Sequence, residues 1–312
     1  MAQFVASNLI LIKLEAIYGV DALPTAADAL LVNDLTYPEM QGEIVGRNLI
    51  RPYMGGSPQA VVSERVGFSF SCEAAGSGIA GTAPRFGAGF QACRNAVTTV
   101  ASTSNTYSPI TILGGNTSAT IYYWIGGIRH IITGWRGSHS LNLTNNSFGI
   151  NRFEGMGIYQ GPTDTAILTP TYTLQAAPLP VTLGNTLNIN IAGHATASLQ
   201  SFAFTQENQM SYNSLPNGVK EVLITSGQST FEATIECPTI AQRDYFSAAL
   251  TQATNALTIT QGTTAGNRQA FTAPAAKTLI PRYSDDNGKL MLTVPGIFLP
   301  VNGNDECTHV FS

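Results

Sequence analysis

The sequence predicts a mainly β protein made of two tandem β-rich units, each flanked by one α-helix. Three observations support this. Several segments alternate apolar and polar residues with a period of two, as half-buried strands do. Only two segments have the three-to-four spacing of an amphipathic helix. The same order of elements occurs twice along the 312 residues: strand, helix, strands, polar turn and closing strand. Hydrophobic residues make up 44% of the chain, which is enough for a large core.

Charged residues make up only 11% of the chain, against about 25% in a typical soluble domain. Fifteen Lys and Arg against nineteen Asp and Glu leave a net charge of −4. A chain this poor in charge either buries much of its surface in an assembly or is poorly soluble as a monomer. Lys and Arg form no cluster along the chain, which disfavours a conventional nucleic-acid-binding protein.

The strands are predicted from alternation and turn residues. The clearest strands are Val66–Cys72 and Phe231–Cys237, in which every second residue is apolar. Asn287-Gly288 favours a hairpin turn, because both residues tolerate a positive φ. Further predicted elements are a strand with Leu187, Ile189 and Ile191 on one face, strand-forming residues over 121–132, and a second turn over 144–149.

Two helices are predicted from apolar spacing. The first carries Phe86, Phe90, Cys93 and Val97, with Thr82 as a possible N-cap. In the second, Thr239 and Gln242 have the spacing of a capping box. An apolar stripe follows it, formed by Phe246, Ala249, Leu250 and Ala253.

The two halves of the chain show signs of duplication. Val66–Cys72 superimposes on Phe231–Cys237 with an offset of 165, and the closing segments 156–162 and 294–300 are alike. Four prolines cluster between 162 and 180, which indicates a linker. We therefore expect an N-terminal arm at 1–35, a first unit at 36–165 and a second at 166–312. Identity between the halves is low, so chance similarity stays an alternative.

The residue patterns do not favour an enzyme. The four histidines, His130, His139, His194 and His309, match no metal-ligand spacing, and Cys72, Cys93, Cys237 and Cys307 form no CxxC pair. We expect reduced, buried cysteines, no catalytic residues, no metal and no cofactor. Gly76–Gly81 matches a dinucleotide fingerprint only in part and is interpreted as a loop. The longest apolar run, 119–127, is too short for a membrane helix, so we expect no membrane insertion.

The first 75 residues carry a specific resemblance. Residues 9–29 read LILIKLEAIYGVDALPTAADA, with Lys-x-Glu, Tyr-Gly-x-Asp-Ala and Pro-Thr in succession. This opening resembles that of tail tube (major tail) proteins of long-tailed bacteriophages, and residues 49–53 and 69–73 are also similar. The resemblance is closest to tail tube proteins of Pseudomonas-type phages with flexible, non-contractile tails.

The resemblance implies a fold and an assembly. Each tail-tube-like unit would be a β-sandwich or barrel with one flanking helix, whose inner strands join those of neighbours in a ring. Stacked rings would form a tube that conducts double-stranded DNA into the host. Implied partners are other copies of the chain, a tape-measure protein, and tail terminator and tail-tip proteins. The implied location is the virion tail, with assembly in the host cytoplasm.

Doubling of the unit implies a trimeric ring with pseudo-sixfold symmetry, or alternatively a hexamer whose second half lies outside. Acidic residues in or beside predicted strands are candidates for the channel wall, with the outer surface as the alternative: Glu73, Glu154, Glu232 and Glu236. Aromatic residues of the first 60 are candidates for contacts between subunits, with packing on their own core as the alternative: Phe4, Tyr18, Tyr37 and Tyr53.

The competing function is a receptor- or carbohydrate-binding protein of the tail tip or fibre. It would use exposed aromatic platforms such as Trp124 and Trp135. Both tryptophans lie within apolar, β-rich sequence, which favours core packing instead.

Overall fold

A computed structural model describes residues 8–111, 117–216 and 218–312. They form seventeen strands and two short α-helices, and every strand pairing among them is antiparallel. The first half contains β1 (Asn8–Leu14), β2 (Asp34–Leu35), β3 (Glu39–Gly46), β4 (Gln59–Glu73), α1 (Gly87–Ala92), β5 (Asn95–Val100), β6 (Ser104–Pro109), β7 (Ala119–Ile125), β8 (Ile128–Thr144) and β9 (Ile150–Asp164). The second half contains β10 (Thr186–Asn190), β11 (Leu199–Asn213), β12 (Glu221–Glu236), α2 (Tyr245–Leu250), β13 (Thr254–Gln261), β14 (Gln269–Thr278), β15 (Arg282–Asp286), β16 (Lys289–Phe298) and β17 (Thr308–Phe311).

The strands follow two series of hydrogen-bonded neighbours. The longer series runs β3-β4-β9-β8-β11-β12-β16-β15, and we call it the long sheet. The other series runs β5-β6-β17-β14-β13-β10. β1 pairs with β7, which joins the long sheet at β8. Both series are continuous between the two halves of the chain, through β8–β11 and through β17.

Each half has its own hydrophobic core. The first packs α1 against β4, β7 and β9, with Phe70 and Phe153 stacked at 5.1 Å between ring centroids. The second packs α2 against β11, β12 and β14, with Phe231 and Phe298 stacked at 4.8 Å. Each core also contains residues from the other half of the chain. Leu141 and Leu143 of β8 belong to the second core, and Phe311 of β17 belongs to the first.

Strand register relates the halves further. In the first half Val66 of β4 lies opposite Gly157 of β9. In the second half Phe231 of β12 lies opposite Gly296 of β16. Adding 165 to the number of Val66 gives Phe231, and adding 139 to the number of Gly157 gives Gly296. The two strand pairs therefore correspond. The closing segments thus correspond with a shift of one residue from the alignment of 156–162 with 294–300.

The first helix is shorter than predicted. It begins after Phe86, which makes no side-chain cap, so Thr82 is not its N-cap. It ends at Ala92 with Cys93 as its C-cap, and the next residue, Arg94, has a positive φ of 64°. Val97, assigned to the helix from its spacing, lies in β5. Two glycines lower the helix propensity of this segment, and the β-branched residues after it favour a strand.

The second helix begins later than its capping signal. Thr239 and Gln242 do form reciprocal hydrogen bonds, at 3.0 and 3.3 Å, but they close a separate turn. The helix starts after Asp244, whose side chain accepts a hydrogen bond from the Ser247 amide at 2.9 Å. It buries Tyr245 and Ala248 rather than the predicted stripe, and Leu250 is exposed.

Both predicted turns are present. Asn287 and Gly288 connect β15 to β16 with φ angles of 54° and 85°, and Asn146 turns β8 into β9 with φ of 59°. The predicted strand around Leu187 is less regular, because Asn188 has φ of 51° and Leu187 is exposed, while Ile191 is buried.

Candidate channel and assembly surfaces

One face of the long sheet is mainly polar at its centre, although Ile150 and Ala203 also lie on it and its Ser69 and Ser71 are buried. On β4, β9, β8, β11 and β12, alternate residues enter the cores, and the residues between them point to the opposite face. Cross-strand register continues this alternation, with Ser69 opposite Glu154 and Glu154 opposite Ser138. We call this surface the polar face. Its small polar residues include Ser69, Ser71, Ser138, Ser140, Asn142, Thr144, Ser201, Thr205, Thr230, Thr234 and Thr293.

All four acidic residues singled out from the sequence lie on the polar face. Glu73 is at the end of β4, Glu154 on β9, and Glu232 and Glu236 on β12. Glu232 and Glu154 are exposed, and Glu73 and Glu236 are half-buried. The structure adds Glu207 of β11, exposed and opposite Gln228. Sequence analysis missed it, although Phe202 and Phe204 alternate with polar positions just before it.

Two basic residues on the polar face are matched by acids, and a third, Arg282 of β15, is exposed opposite Thr293. Arg152 lies 3.6 Å from carboxylate oxygens of both Asp34 and Glu154. Lys289 Nζ lies 2.8 Å from Glu236 Oε2, and this hydrogen bond lowers the pKa of the Glu236 carboxyl. The five glutamates of this surface outnumber these three cations, of which Arg152 and Lys289 lie beside carboxylates.

The free end of the β11–β12 hairpin crosses the sheet of the first half. Tyr212 Oη donates to the Glu64 carbonyl at 2.9 Å, and Lys220 forms an ion pair with the Glu64 carboxylate. The Arg65 guanidinium lies 5.9 Å from the centre of the Tyr212 ring. Arg136 Nη1 donates to the Val222 carbonyl at 2.7 Å. The hairpin thereby covers one end of the polar face.

Tyr18 fixes this hairpin from the N-terminal segment. Its hydroxyl accepts a hydrogen bond from the Val222 amide at 2.6 Å and donates to the Gly134 carbonyl at 3.3 Å. The Arg136 guanidinium lies 4.4 Å from the centre of its ring. Burial raises the pKa of Tyr18 to about 12. Tyr18, a candidate for contact between subunits, thus makes these contacts within its own chain.

Glu15 organises the loop that holds Tyr18. Its buried carboxylate accepts four hydrogen bonds, from the Gly19 amide at 2.8 Å, the Gly134 amide at 2.7 Å, Ser118 Oγ at 2.5 Å and Thr120 Oγ1 at 2.9 Å. Such a set of donors replaces the water that a carboxylate loses on burial. Glu15 and Tyr18 of the N-terminal motif therefore connect β7, β8 and β12.

The other polar residues of the N-terminal motif also make contacts within the chain. Tyr122 Oη donates to Asp21 Oδ2 at 2.5 Å, which with burial raises the pKa of Tyr122 above its usual value. Asp28 accepts from Thr25 at the start of a single 3-10 turn, and Arg85 lies 3.5 Å from Asp28. These contacts hold residues 15–28 of the N-terminal motif against the first half of the chain.

Strand β3 and the free end of the β3–β4 hairpin, in contrast, are exposed. All residues of β3 are exposed, and the segment carries solvent-facing apolar side chains. Tyr53 lies at its tip, 67% exposed, and Tyr37 precedes β3 at 50%. Other exposed apolar residues here are Met40, Ile44, Val45, Ile50, Met54, Val61 and Val62. Phe4, the remaining contact candidate, lies outside the described residues.

Two histidines, His139 and His309, are buried in the interior and pack against aromatic rings. His139 and His309 are buried with ring centroids 4.8 Å apart, and His139 Nε2 lies 3.0 Å from Asn151 Oδ1. Burial lowers the pKa of His139 to about 3 and that of His309 well below its usual value. In the described ranges, His, Cys, Asp and Glu do not gather in groups that would hold a metal ion. Both histidines lie where the two cores meet.

The tryptophans and cysteines pack inside. Trp124 and Trp135 are fully buried, and their indole nitrogens donate to the Thr165 and Phe68 carbonyls at 3.1 and 3.3 Å. Neither offers a stacking platform for a sugar. All four cysteines are unpaired; Cys237 is half-buried and the others are buried.

Comparison with known proteins gives one family match, which covers nearly the whole chain. Among the described residues, neither helix has the length and apolar character to cross a bilayer. No curated protein sequence matched the chain. The family model for phage tail tube proteins matches residues 6–297, nearly the whole chain. The chain therefore belongs to the phage tail tube protein family, and it is a structural component of the virion tail that assembles into a tube.

Proposed function

We propose that the polar face lines the channel of stacked rings through which double-stranded DNA passes. The observation that carries this proposal is the single continuous surface holding Glu73, Glu154, Glu207, Glu232 and Glu236. A conduit has to let its cargo slide. Phosphates are held by Lys and Arg, and about six to ten such contacts give salt-dependent affinity strong enough to arrest a duplex.

The charges of the polar face suit that task. Arg152 and Lys289 both lie beside carboxylates, so neither presents an uncompensated positive charge to a phosphate. The remaining carboxylates repel the duplex weakly and are screened beyond about 8 Å at physiological salt. Serine and threonine between them keep the wall wet without charge.

We propose that three chains form each ring. The two halves repeat the same strand pairings, Val66–Gly157 and Phe231–Gly296, around separate cores. Two such units in a chain and three chains in a ring give pseudo-sixfold symmetry. Residues 36–165 and 166–312 are the proposed units. Within the N-terminal arm 1–35, residues 8–14 form β1, which pairs with β7, so the described part of the arm packs on the first unit.

The proposed partners follow from a tube of defined length. They are a tape-measure protein, a tail terminator and tail-tip proteins, with assembly in the host cytoplasm before incorporation into the virion. We assign the chain no catalytic role. Its histidines support that assignment, because His139 and His309 are buried in aromatic surroundings where no substrate reaches them.

Charge reversal on the polar face tests the channel proposal. Phage are assembled with Glu207→Lys/Glu232→Lys tube protein, and DNA ejection is timed after triggering. The matched control is Glu207→Gln/Glu232→Gln, which keeps side-chain size and removes only charge. A second control, Asp164→Lys, makes the same kind of charge change at the exposed far end of β9.

We expect all variants to form tails, because these side chains are exposed. The double Lys variant is expected to eject DNA at least tenfold more slowly, with the slowing relieved as salt rises. The Gln variant is expected to stay within twofold of the unsubstituted protein. Ejection by the double Lys variant at the rate of the Asp164→Lys control would refute the placement of this face in the channel.

A further inference from the structure

Two strand edges of the long sheet lack a neighbour within the described chain. β3 pairs only with β4, and β15 pairs only with β16, so each presents an outer row of backbone donors and acceptors. The residues of β3 are all exposed, as are Arg282–Asp285. Exposed edges of this kind pair with other strands unless they are covered.

The chain already contains the corresponding contact in paired form. Where the halves meet in the long sheet, Ser201–Gln206 of β11 pairs antiparallel with Thr144–His139 of β8. Phe204 lies opposite Leu141 there, and both side chains are buried. Here the first strand of the second-half hairpin contacts the strand before the closing strand of the first half.

The duplication makes β3 the equivalent of β11, and β15 the equivalent of β8. β11 precedes β12 as β3 precedes β4, and the pairs Phe204–Phe231 and Met40–Val66 make Met40 the equivalent of Phe204. β15 precedes β16 as β8 precedes β9. The pairs Leu141–Asn151 and Asp285–Leu290 make Asp285 the equivalent of Leu141.

We propose that β3 of one protomer pairs antiparallel with β15 of the next, with Met40 opposite Asp285 and Gln41 opposite Ser284. This inference rests on the proposed ring function and gives it a defined contact. The contact is head-to-tail, because different strands of the two chains meet, and such contacts close into a ring when the rotation allows. Repeating the β8–β11 contact at each junction places all six units in equivalent surroundings.

Side chains along the proposed register fit at some positions and not at others, since Met40 and Asp285 do not reproduce the apolar Phe204–Leu141 pair. Continuing it brings Glu43 opposite Arg282, an opposite-charge pair of the kind that stabilises neighbouring strands. It brings Tyr37 beside Gly288, where the turn leaves room for a ring. Glu39 falls opposite Asp286, an unfavourable like-charge pair. Asp286 is nevertheless held by Gln200 Nε2 at 2.7 Å and lies opposite Lys289 in its own sheet.

The exposed hairpin supports the same partner. In the second half, the β11–β12 hairpin passes beyond β8 and lies on the first half, where Val222 is buried. The equivalent β3–β4 hairpin has no such support from the residues that the structure describes, and Ile44 and Val61 are exposed there. A neighbouring second half would receive it in the same way.

Disulfide trapping tests the register. Gln41→Cys and Ser284→Cys are combined in one chain, tubes are assembled and oxidised with diamide, and products are separated without reductant. Control chains carry each substitution alone, or combine Gln41→Cys with Asp286→Cys, which shifts the pairing by two residues. Directly opposite residues have Cβ atoms about 4.5–5.5 Å apart, whereas diagonal ones are about 7–8 Å apart. The native thiols are common to all variants.

We expect a covalent ladder that ends at three chains, at least fivefold stronger for the Ser284 pair than for the Asp286 pair. Tubes that give no ladder, equal yields for both pairs, or a ladder continuing past three chains would overturn the pairing while leaving the tube function intact. Unsubstituted protein that forms no tubes would instead refute the proposed function. If the double variant fails to assemble, hydrogen exchange on unsubstituted tubes decides. Amides of 39–43 and 282–286 are expected to slow at least tenfold on assembly, and unchanged rates would overturn the proposal.

Discussion

Replacing Tyr18 with phenylalanine removes one hydroxyl from the contact that joins the N-terminal motif to the β11–β12 hairpin. The Val222 amide loses its acceptor at 2.6 Å and the Gly134 carbonyl loses a donor at 3.3 Å. Val222 is fully buried, so water does not replace the hydroxyl without opening the hairpin. The ring remains, and with it the contact to Arg136 at 4.4 Å.

A buried donor left without a partner costs about 1–3 kcal/mol. We therefore expect the free energy of unfolding of the monomer to fall by that amount in Tyr18→Phe. The measurement is urea unfolding of dilute, unassembled protein, followed by fluorescence of the buried Trp124 and Trp135. Tyr53→Phe is the matched control, because Tyr53 is 67% exposed and its loss of a hydroxyl should change stability by less than about 0.5 kcal/mol.

The two substitutions separate the alternatives for the N-terminal segment. If Tyr18 acts within its own chain, its substitution weakens the monomer and affects assembly only as a consequence. Unchanged monomer stability together with lost polymerisation would refute that reasoning. It would show instead that Tyr18 contacts a neighbouring subunit, as first considered from the sequence.

Two further predictions concern packing and pH. In Gly155→Ala the new Cβ would lie 2.2 Å from the Arg136 carbonyl oxygen. We therefore expect the free energy of unfolding, measured in urea, to fall by about 1–3 kcal/mol. A change below about 0.5 kcal/mol would contradict the close approach of β8 and β9. Burial lowers the pKa values of His139 and His309, so the unfolded chain binds more protons below about pH 6.5 and stability should fall as pH decreases from there. His139→Phe should flatten this fall between pH 6.5 and 5, and an unchanged slope would contradict the assignment.

Strands with one buried face could be predicted from the sequence. Val66–Cys72 and Phe231–Cys237 alternate because one face enters a core, and both proved to be central strands. Their even spacing also placed Glu232 and Glu236 on a common face before any register was known. The Asn287-Gly288 turn was equally clear, since its conformation depends on those residues alone.

Other features depend on contacts distant in sequence. Pairing of β8 with β11, which makes the polar face continuous, joins residues about 60 apart and leaves no local pattern. Glu207 was missed for that reason. The first helix was extended too far, because the spacing of Val97 fits a helix while its β-branched neighbours pair with β6. The role of Glu15 was hidden, because its four donors come from three separate segments.

The contacts of Phe4, Tyr37 and Tyr53 with neighbouring subunits remain predictions, as does the similarity to tail tube proteins of Pseudomonas-type phages. Tyr37 and Tyr53 are exposed beside or on the β3–β4 hairpin, which is consistent with such contacts. Tyr18 differs from them because its hydroxyl is already occupied within the chain.

Helical reconstruction of assembled tubes by electron cryo-microscopy tests the central claim most directly. The account predicts three chains per ring, with Glu154, Glu207 and Glu232 pointing into a bore wide enough for a duplex. It also predicts continuous strand density between β3 of one chain and β15 of the next. A tube whose wall turns these carboxylates outward, or whose subunits meet without that strand pairing, would contradict it.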